Sequence, residues 1–185
     1  MKIYSTRHGE TLWNFENRIL GRTDIGLTER GIKQAEELAE KAAEKNDIDI
    51  IISSPLMRAK QTAKIVAEKL NLTFTTDDRL MEWDYGEFEG LERYTDGFYD
   101  NKREFAVKMK KGGESLLQLA HRVYSALDEI IVNYHDKNVL IVSHGGVCRV
   151  IETYFNDMTT EEYSGWFMGN CQLLEYNVRK SSAEV

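Results

Sequence analysis

The sequence Thr6-Arg7-His8-Gly9-Glu10-Thr11 follows a short N-terminal run, Met1 to Ser5, that predicts a β-strand. A basic residue, a histidine and a glycine therefore stand where a strand ends. A second strand-end histidine lies in Val142-Ser143-His144-Gly145-Gly146, and a second arginine lies in Ser54-Pro55-Leu56-Met57-Arg58 at a predicted helix start. Ligands bind at the carboxyl ends of strands in open α/β sheets, and two arginines beside two histidines form a site for a tetrahedral anion.

Helices and strands alternate on either side of these segments. The predicted helices cover residues 28–45, 55–70, 116–134 and 147–154, and the predicted strands cover 1–5, 48–53, 73–76, 139–142 and 173–178. Ser54 is expected to be the N-cap of the second helix and Pro55 its first residue. Glu114 and Ser115 are expected to cap the third helix. This order predicts an α/β fold, a three-layer α/β/α sandwich with a mostly parallel central sheet.

The chain shows neither a repeat nor a linker, and we expect a single domain over residues 1–185. Its least regular part, residues 78–113, predicts a loop region with at most one or two short helices. This region is rich in Glu, Asp, Tyr, Trp and Gly, and its aromatic side chains could line an apolar entrance. We therefore expect residues 78–113 to cover the substrate.

The composition is that of a globular protein, with 42% hydrophobic residues. The net charge of −7 argues against nucleic acid or an acidic membrane as a partner. No run approaches the roughly 20 apolar residues of a membrane span, and the N-terminus lacks the apolar segment of a signal peptide, so we expect a cytoplasmic protein. Cys148 and Cys171 lie far apart and predict reduced thiols. No spacing typical of metal ligands appears, so we expect no metal and no cofactor.

His8 is the predicted nucleophile. Two guanidinium groups beside it would lower its pKa and keep a ring nitrogen unprotonated, and a neutral imidazole attacks phosphorus readily. Arg7 and Arg58 offer planar sets of donors that match two phosphoryl oxygens, although Arg58 taken alone could equally be an exposed helix residue. His144 is expected to donate a hydrogen bond to the phosphoryl group. Gly145 is expected to bring backbone N–H groups close to it.

Six blocks of sequence, spread over nearly the whole chain, occur in the order of one known family. They are Arg7-His8-Gly9-Glu10-Thr11, Leu27-Thr28-Glu29-Arg30-Gly31, Ser53-Ser54-Pro55-Leu56 with Arg58, Glu82 with Gly86 and Glu89-Gly90, Gly112-Gly113-Glu114-Ser115, and Ser143-His144-Gly145-Gly146. In these blocks the chain resembles the histidine phosphatase (phosphoglycerate mutase-like) superfamily. An Arg-His-Gly triplet arises often by chance, whereas six blocks in the family's order do not.

The resemblance implies roles for further residues. The general acid could be any of Glu82, Asp84, Glu87 and Glu89 on the evidence of the residues alone, and the family pattern selects Glu82. Aromatic neighbours could desolvate that carboxyl enough to hold a proton near neutral pH. Asn14 and Gly21 match family positions that face the substrate, through a side-chain amide and a backbone N–H. Glu10 could support Arg7.

These features predict a metal-independent phosphatase that hydrolyses small phosphomonoesters through a phosphohistidine intermediate. One alternative is a phosphoglycerate mutase, but the mutases of this family carry a longer insertion after the acid and an Arg-His-Tyr-Gly sequence there. This chain has Trp83-Asp84-Tyr85-Gly86 instead. Another alternative is a binding protein without turnover, which would usually lack the nucleophile or the acid. The expected partner is a small phosphorylated substrate, and the sequence does not predict the oligomeric state.

Overall fold

The computed structural model describes residues 1–178. Five strands form one sheet: β1 (Lys2–Arg7), β2 (Ile50–Ser53), β3 (Phe74–Thr76), β4 (Val139–Ser143) and β5 (Leu173–Asn177). Their order across the sheet is β3-β2-β4-β1-β5. β1 to β4 run parallel, and β5 pairs antiparallel with β1. The predicted mostly parallel sheet is confirmed.

Seven α-helices lie within the described residues. They are α1 (Leu12–Phe15), α2 (Glu29–Lys45), α3 (Met57–Leu70), α4 (Phe98–Arg103), α5 (Leu116–Asn133), α6 (Gly145–Phe155) and α7 (Thr160–Gly165). The buried side chains of α2 and α3 pack with Tyr4 and Leu140 on one face of the sheet. Those of α5 and α6 pack with Ile3 and Ile141 on the other face. Successive strand residues thus alternate between two cores, which is the predicted three-layer arrangement.

The pairing of β1 with β4 brings the two strand ends that carry the histidine motifs together. Arg7 lies opposite Ser143 in the register, and the backbone N–H of His8 donates to the carbonyl of Ser143 at 3.0 Å. Every residue of β4 is buried, as expected for a central strand with helices on both faces. The two histidines that follow these strands, His8 and His144, therefore share one edge of the sheet.

The start of α3 differs from the prediction. The helix begins at Met57 with Leu56 as its N-cap, so the assignment of Ser54 as N-cap and Pro55 as first helical residue is wrong. The Ser54 hydroxyl accepts the N–H of Leu56 at 3.3 Å and lies 2.7 Å from Nε2 of His144. Ser54 therefore forms a turn before the helix and contacts the site.

Residues 78–113 contain two short 3-10 turns, Asp78–Leu80 and Gly86–Phe88, besides α4. The ring of Phe98 packs at 5.4 Å, between centroids, against both Tyr85 and Phe88. This aromatic cluster belongs to the core that α5 and α6 share with the sheet. The region is therefore anchored, and its role as a cover over the substrate stays a prediction. No helix in residues 1–178 has the length and apolar character needed to cross a membrane.

Candidate active site

Hydrogen bonds assign the tautomer of His8 and show the contacts of His144. Nδ1 of His8 lies 2.7 Å from the carbonyl of Gly9, which can only accept, so Nδ1 carries the proton. Nε2 of His8 then has a lone pair, and it accepts from Nε of Arg58 at 3.2 Å. The same Arg58 nitrogen lies 3.2 Å from Nδ1 of His144, and Nε2 of His144 faces the Ser54 hydroxyl. His8 Nε2 is therefore the nitrogen that can act as a nucleophile.

Both imidazoles are held in the neutral form. Burial is the largest cause, and the positive charges of Arg58 and then Arg7 add to it, so the pKa of His8 lies well below its ordinary value. Burial and Arg58 likewise lower the pKa of His144 well below its ordinary value. At neutral pH the His8 lone pair is therefore not blocked by a proton.

Arg58 is fully buried and is held by a loop rather than by a carboxylate. Its Nη1 donates to the carbonyl of Thr23 at 2.9 Å and its Nη2 to that of Gly21 at 2.6 Å. A guanidinium has five N–H groups, so with Nε also engaged two are left for a phosphoryl group. Burial lowers the Arg58 pKa to about 10, which leaves the group charged at neutral pH.

Glu89 fixes the loop that holds Arg58. Its carboxylate accepts the backbone N–H of Arg22 at 2.7 Å and that of Thr23 at 2.8 Å. A Cβ atom on Gly21 would lie 2.3 Å from Oε1 of Glu89, so only glycine allows this approach. The structure gives Gly21 a role in holding Arg58 through its carbonyl, and Gly21 does not line the cavity that His8 and Glu82 share. The contact of its N–H with substrate stays a prediction.

Arg7, the last residue of β1, turns its guanidinium into the site. Its Nη1 donates to the carbonyl of Met168 at 3.1 Å, and its Nε is buried without a partner among the described residues. A Cβ on Gly145 would lie 3.7 Å from this Nε, so Gly145 and Arg7 face each other. Burial lowers the pKa of Arg7. The prediction that Glu10 supports Arg7 is wrong, because Glu10 accepts from the Thr28 hydroxyl at 3.0 Å instead.

Glu82 is buried opposite the start of α6. Its Oε1 accepts the N–H of Trp83 at 2.8 Å, and its Oε2 accepts the N–H of Gly146 at 3.1 Å. A Cβ on Gly146 would lie 2.5 Å from Oε1, so the approach requires glycine. The helix N-terminus also offers a positive end to this carboxylate. Both oxygens are thus held in place by backbone donors.

The other acidic candidates point elsewhere. Asp84 accepts the N–H of Gly86 at 3.0 Å, Glu87 pairs with Lys111 at 2.9 Å, and Glu89 is engaged with the loop before α2. Among the described acidic residues, Glu82 is the one that lines the cavity next to His8. The geometry therefore favours the residue that the family pattern selects.

Arg122 of α5 supports Glu82 from behind, and the sequence reasoning missed it. Its Nη2 donates to the Glu82 carbonyl at 3.0 Å, and its Nε donates to Oε1 of Glu114 at 2.6 Å. The Glu114 carbonyl in turn accepts from Nε1 of Trp83 at 2.7 Å. Ser115 is the N-cap of α5, as predicted, whereas the Glu114 side chain is an ion-pair partner rather than a cap.

The cavity at the strand ends has a volume of about 70 Å³. Asn14 and Gly145 line it, together with Arg7, His8 and Glu82, whereas His144 is fully buried behind it. The amide oxygen of Asn14 accepts from Thr11 and Asn170, so its NH₂ group is the part left to face a phosphoryl group. In residues 1–178 no group of three or more His, Cys, Asp or Glu side chains is placed to hold a metal ion.

Three further cations line this cavity, namely Arg93, Lys102 and Arg149. Arg149 could have been found from the sequence, because it follows Gly145 by one helical turn and so lies on the same face of α6. Arg93 and Lys102 carried no such signal, since they come from the irregular region. None of the three forms a salt bridge within the part of the chain that the structure describes.

Comparison with known proteins agrees with this arrangement. The family model described as "Histidine phosphatase superfamily (branch 1)" matches residues 3–185. A protein of Yersinia pestis named "Probable phosphoglycerate mutase GpmB" is 39% identical over 153 residues, which cover 78% of this chain and 70% of that protein.

Solved structures are similar over nearly the whole chain. A mycobacterial glucosyl-3-phosphoglycerate phosphatase in complex with VO3 has a TM-score of 0.83 at 28% identity, covering 94% of this chain and 91% of its own. A phosphoserine phosphatase mutant from Entamoeba histolytica in complex with phosphoserine has a TM-score of 0.85 at 28% identity, covering 96% and 91%. Family match, site and structural likeness together identify this chain as a phosphoric monoester hydrolase that belongs to the histidine phosphatase superfamily.

Proposed function

We propose that the protein is a metal-independent phosphatase that hydrolyses small phosphomonoesters through a phosphohistidine intermediate on His8. The observation that carries this proposal is the tautomer of His8. Gly9 binds the protonated Nδ1, burial keeps the ring neutral, and Nε2 keeps its lone pair at the cavity.

In the first step the Nε2 lone pair of His8 attacks phosphorus. The bond between phosphorus and the ester oxygen breaks, and the leaving oxygen takes a proton from Glu82. Arg7 and the two remaining N–H groups of Arg58 hold the phosphoryl oxygens as charge develops on them. Preorganised donors of this kind contribute about 3 to 4 kcal/mol each in mutational tests.

In the second step water attacks the phosphohistidine. Glu82, now a carboxylate, takes the proton of the water, and the bond between Nε2 and phosphorus breaks with its electron pair returning to Nε2. Phosphate leaves, and both residues are back in their starting forms. The backbone donors hold the Glu82 carboxyl next to the reacting oxygen in both steps.

Trapping of the intermediate tests this proposal. Brief exposure to a ³²P-labelled phosphomonoester, in the presence of a strong chelator, should label the protein with an acid-labile, base-stable adduct. His8→Ala should abolish both label and turnover, whereas His121→Ala, which changes an exposed histidine on α5, should change neither. Acid-stable label, or activity that only an added divalent metal restores, would contradict the proposal.

A mutase is the second candidate, because relatives at 39% identity are named probable phosphoglycerate mutases. A mutase returns the phosphoryl group to another hydroxyl of the same molecule, whereas a phosphatase releases it to water. ³¹P NMR of a reaction with 3-phosphoglycerate separates the two products. We expect inorganic phosphate, and accumulation of 2-phosphoglycerate before phosphate would favour the mutase.

A further inference from the structure

A second cavity adjoins the catalytic one. Its volume is about 460 Å³, and its walls come from α4, α5, α6 and the segment 158–164. Three residues line both cavities, namely Tyr99, Lys102 and Arg149. The two spaces are therefore neighbours, with a tyrosine and two cations at their junction.

The sizes of the two cavities suit different parts of the substrate, the small one the phosphoryl group and the large one the alcohol. The catalytic cavity of about 70 Å³ is well below the size of pockets that hold a whole small organic ligand. Pockets for small organic ligands measure roughly 300 to 1,000 Å³, and the second cavity falls in this range. The alcohol portion of a bound ester must extend beyond the catalytic cavity, and the adjoining space is large enough to receive it.

The walls of the second cavity combine apolar and aromatic surface with positive charge. Phe105, Tyr124 and Tyr163 supply aromatic rings, and Lys102, Arg103 and Arg149 supply cations, while no Asp or Glu lines this space. Such walls favour an apolar or aromatic body that carries an anionic group.

The two cations at the junction are not neutralised by carboxylates within the described residues. The Arg149 guanidinium donates one hydrogen bond to the carbonyl of Trp166 at 2.7 Å, and its Nε is buried without a partner. The Lys102 ammonium lies 5.6 Å from the ring centroid of Phe98 and forms no salt bridge. An anion at the junction would satisfy both groups.

We propose that the second cavity binds the leaving alcohol, and that the substrates are phosphomonoesters of a large alcohol with an aromatic or apolar body and a carboxylate. This inference rests on the proposed phosphatase function and narrows its substrate class. The carboxylate lies at the junction with Lys102 and Arg149, and the body lies between α4, α5 and α7. The chemistry at phosphorus is unchanged.

The size of the alcohol is tested by filling the second cavity. Ala120 of α5 lines that cavity and not the catalytic one, so Ala120→Phe reduces its volume. Phenyl phosphate and 4-biphenylyl phosphate have similar leaving groups but different lengths. We expect the unaltered protein to prefer the biphenylyl ester in kcat/KM, and Ala120→Phe to reduce that preference about tenfold. Ala43→Phe, on the half-buried surface of α2, is the matched control.

Ser164→Trp on α7, which lines the same cavity, gives a second test if Ala120→Phe does not fold. A preference that neither variant changes would overturn the inference while leaving the phosphatase function intact. Absence of turnover with both esters in the unaltered protein would overturn the function and the inference together.

The carboxylate is tested with 4-biphenylyl phosphates that carry a carboxylate or a carboxamide on the ring that bears the phosphate, meta to the ester oxygen, so that the group lies at the junction. We expect the unaltered protein to favour the carboxylate by about tenfold in kcat/KM, mainly through KM, and Arg149→Gln to remove this discrimination. Arg149→Lys keeps the charge and should retain part of it. Equal use of both esters by the unaltered protein would overturn the assignment of an anionic group.

Discussion

One N–H group serves two imidazoles at the centre of the site. Nε of Arg58 lies 3.2 Å from both His8 Nε2 and His144 Nδ1. A nitrogen lone pair cannot accept a hydrogen bond and attack phosphorus at the same time. His8 must therefore lose its hydrogen bond from Arg58 when it reacts. His144 still accepts from Arg58 at that moment. The shared bond therefore lets His8 react without leaving a buried donor unsatisfied, which would cost about 1 to 3 kcal/mol.

The neutral histidines make the fold sensitive to acid. Because the pKa values of His8 and His144 are lowered in the folded protein, the unfolded chain binds more protons below the ordinary histidine pKa of about 6.5. Stability is therefore present above that pH and falls as the pH decreases below it, by up to about 1.4 kcal/mol per pH unit for each histidine.

This dependence is measured by urea unfolding between about pH 5 and pH 7. His8→Asn should reduce the slope of unfolding free energy against pH, because one buried neutral histidine is lost. His121→Asn changes an exposed histidine and should leave the slope as it is. An identical slope in His8→Asn and the unaltered protein would contradict the assignment of a depressed His8 pKa.

Glu82 should matter most where the leaving group needs a proton. Glu82→Gln should slow phosphorylation by an alkyl phosphate about 10² to 10⁴ fold, which is typical of lost general acid catalysis. With 4-nitrophenyl phosphate, whose leaving group departs unaided, the loss should be much smaller. Pre-steady-state kinetics are required, since Glu82 also activates water in the second step. Equal losses with both esters would indicate that the general acid is Asp84, Glu87 or Glu89 instead.

At the scale of elements, glycine at the start of α6 lowers the stability of the helix but allows the close approach of Glu82. Alanine stabilises a helix by up to about 1 kcal/mol relative to glycine, yet a Cβ on Gly146 would lie 2.5 Å from Oε1 of Glu82. We therefore expect Gly146→Ala to keep or raise the melting temperature while lowering kcat/KM for an alkyl phosphate by about tenfold or more.

Gly165→Ala is the control for this substitution, because nothing lies within 4 Å of a Cβ at the end of α7. It should leave kcat/KM unchanged. Full activity in Gly146→Ala would show that Glu82 does not need its close approach to α6, and a large drop in melting temperature would attribute the loss to folding instead.

The long elements could be predicted because their patterns extend over several turns. The apolar stripe of α5 and the continuous apolar run of β4 define their packing faces without reference to the rest of the chain. α1 and α7 have only four and six residues, too few for a stripe, and were missed. Each nonetheless has a capping box, from Thr11 to Asn14 and from Thr159 to Glu162, and this is a signal that sequence can supply.

At the scale of the whole molecule, positive charge is concentrated on an acidic protein. The chain carries 31 acidic and 24 basic residues, yet the catalytic cavity is lined by four cations and one carboxylate: Arg7, Arg93, Lys102, Arg149 and Glu82. These residues come from distant parts of the chain. Strand ends and glycine motifs predicted the phosphoryl site, whereas the cations of the irregular region depend on tertiary packing and had no sequence pattern.

This concentration of charge gives one of the cations an unusual pKa. Burial, together with repulsion from Arg149, Arg93 and Arg7, lowers the Lys102 pKa to about 7, and Glu82 opposes the shift only in part. Lys102 is therefore charged below neutral pH and loses its proton above it. If it binds the carboxylate of the substrate, its contribution must decline as the pH rises.

The ratio of KM for the carboxamide and carboxylate esters measures this contribution, because both carry the same phosphoryl group and its titration cancels. We expect the preference for the carboxylate to fall several-fold between about pH 6 and pH 8, as Lys102 loses its charge. Lys102→Arg should keep the preference constant over this range, since a guanidinium stays charged. Lys60→Arg, on an exposed position of α3, should follow the unaltered protein. A preference that falls equally in Lys102→Arg would assign the titration to a group other than Lys102.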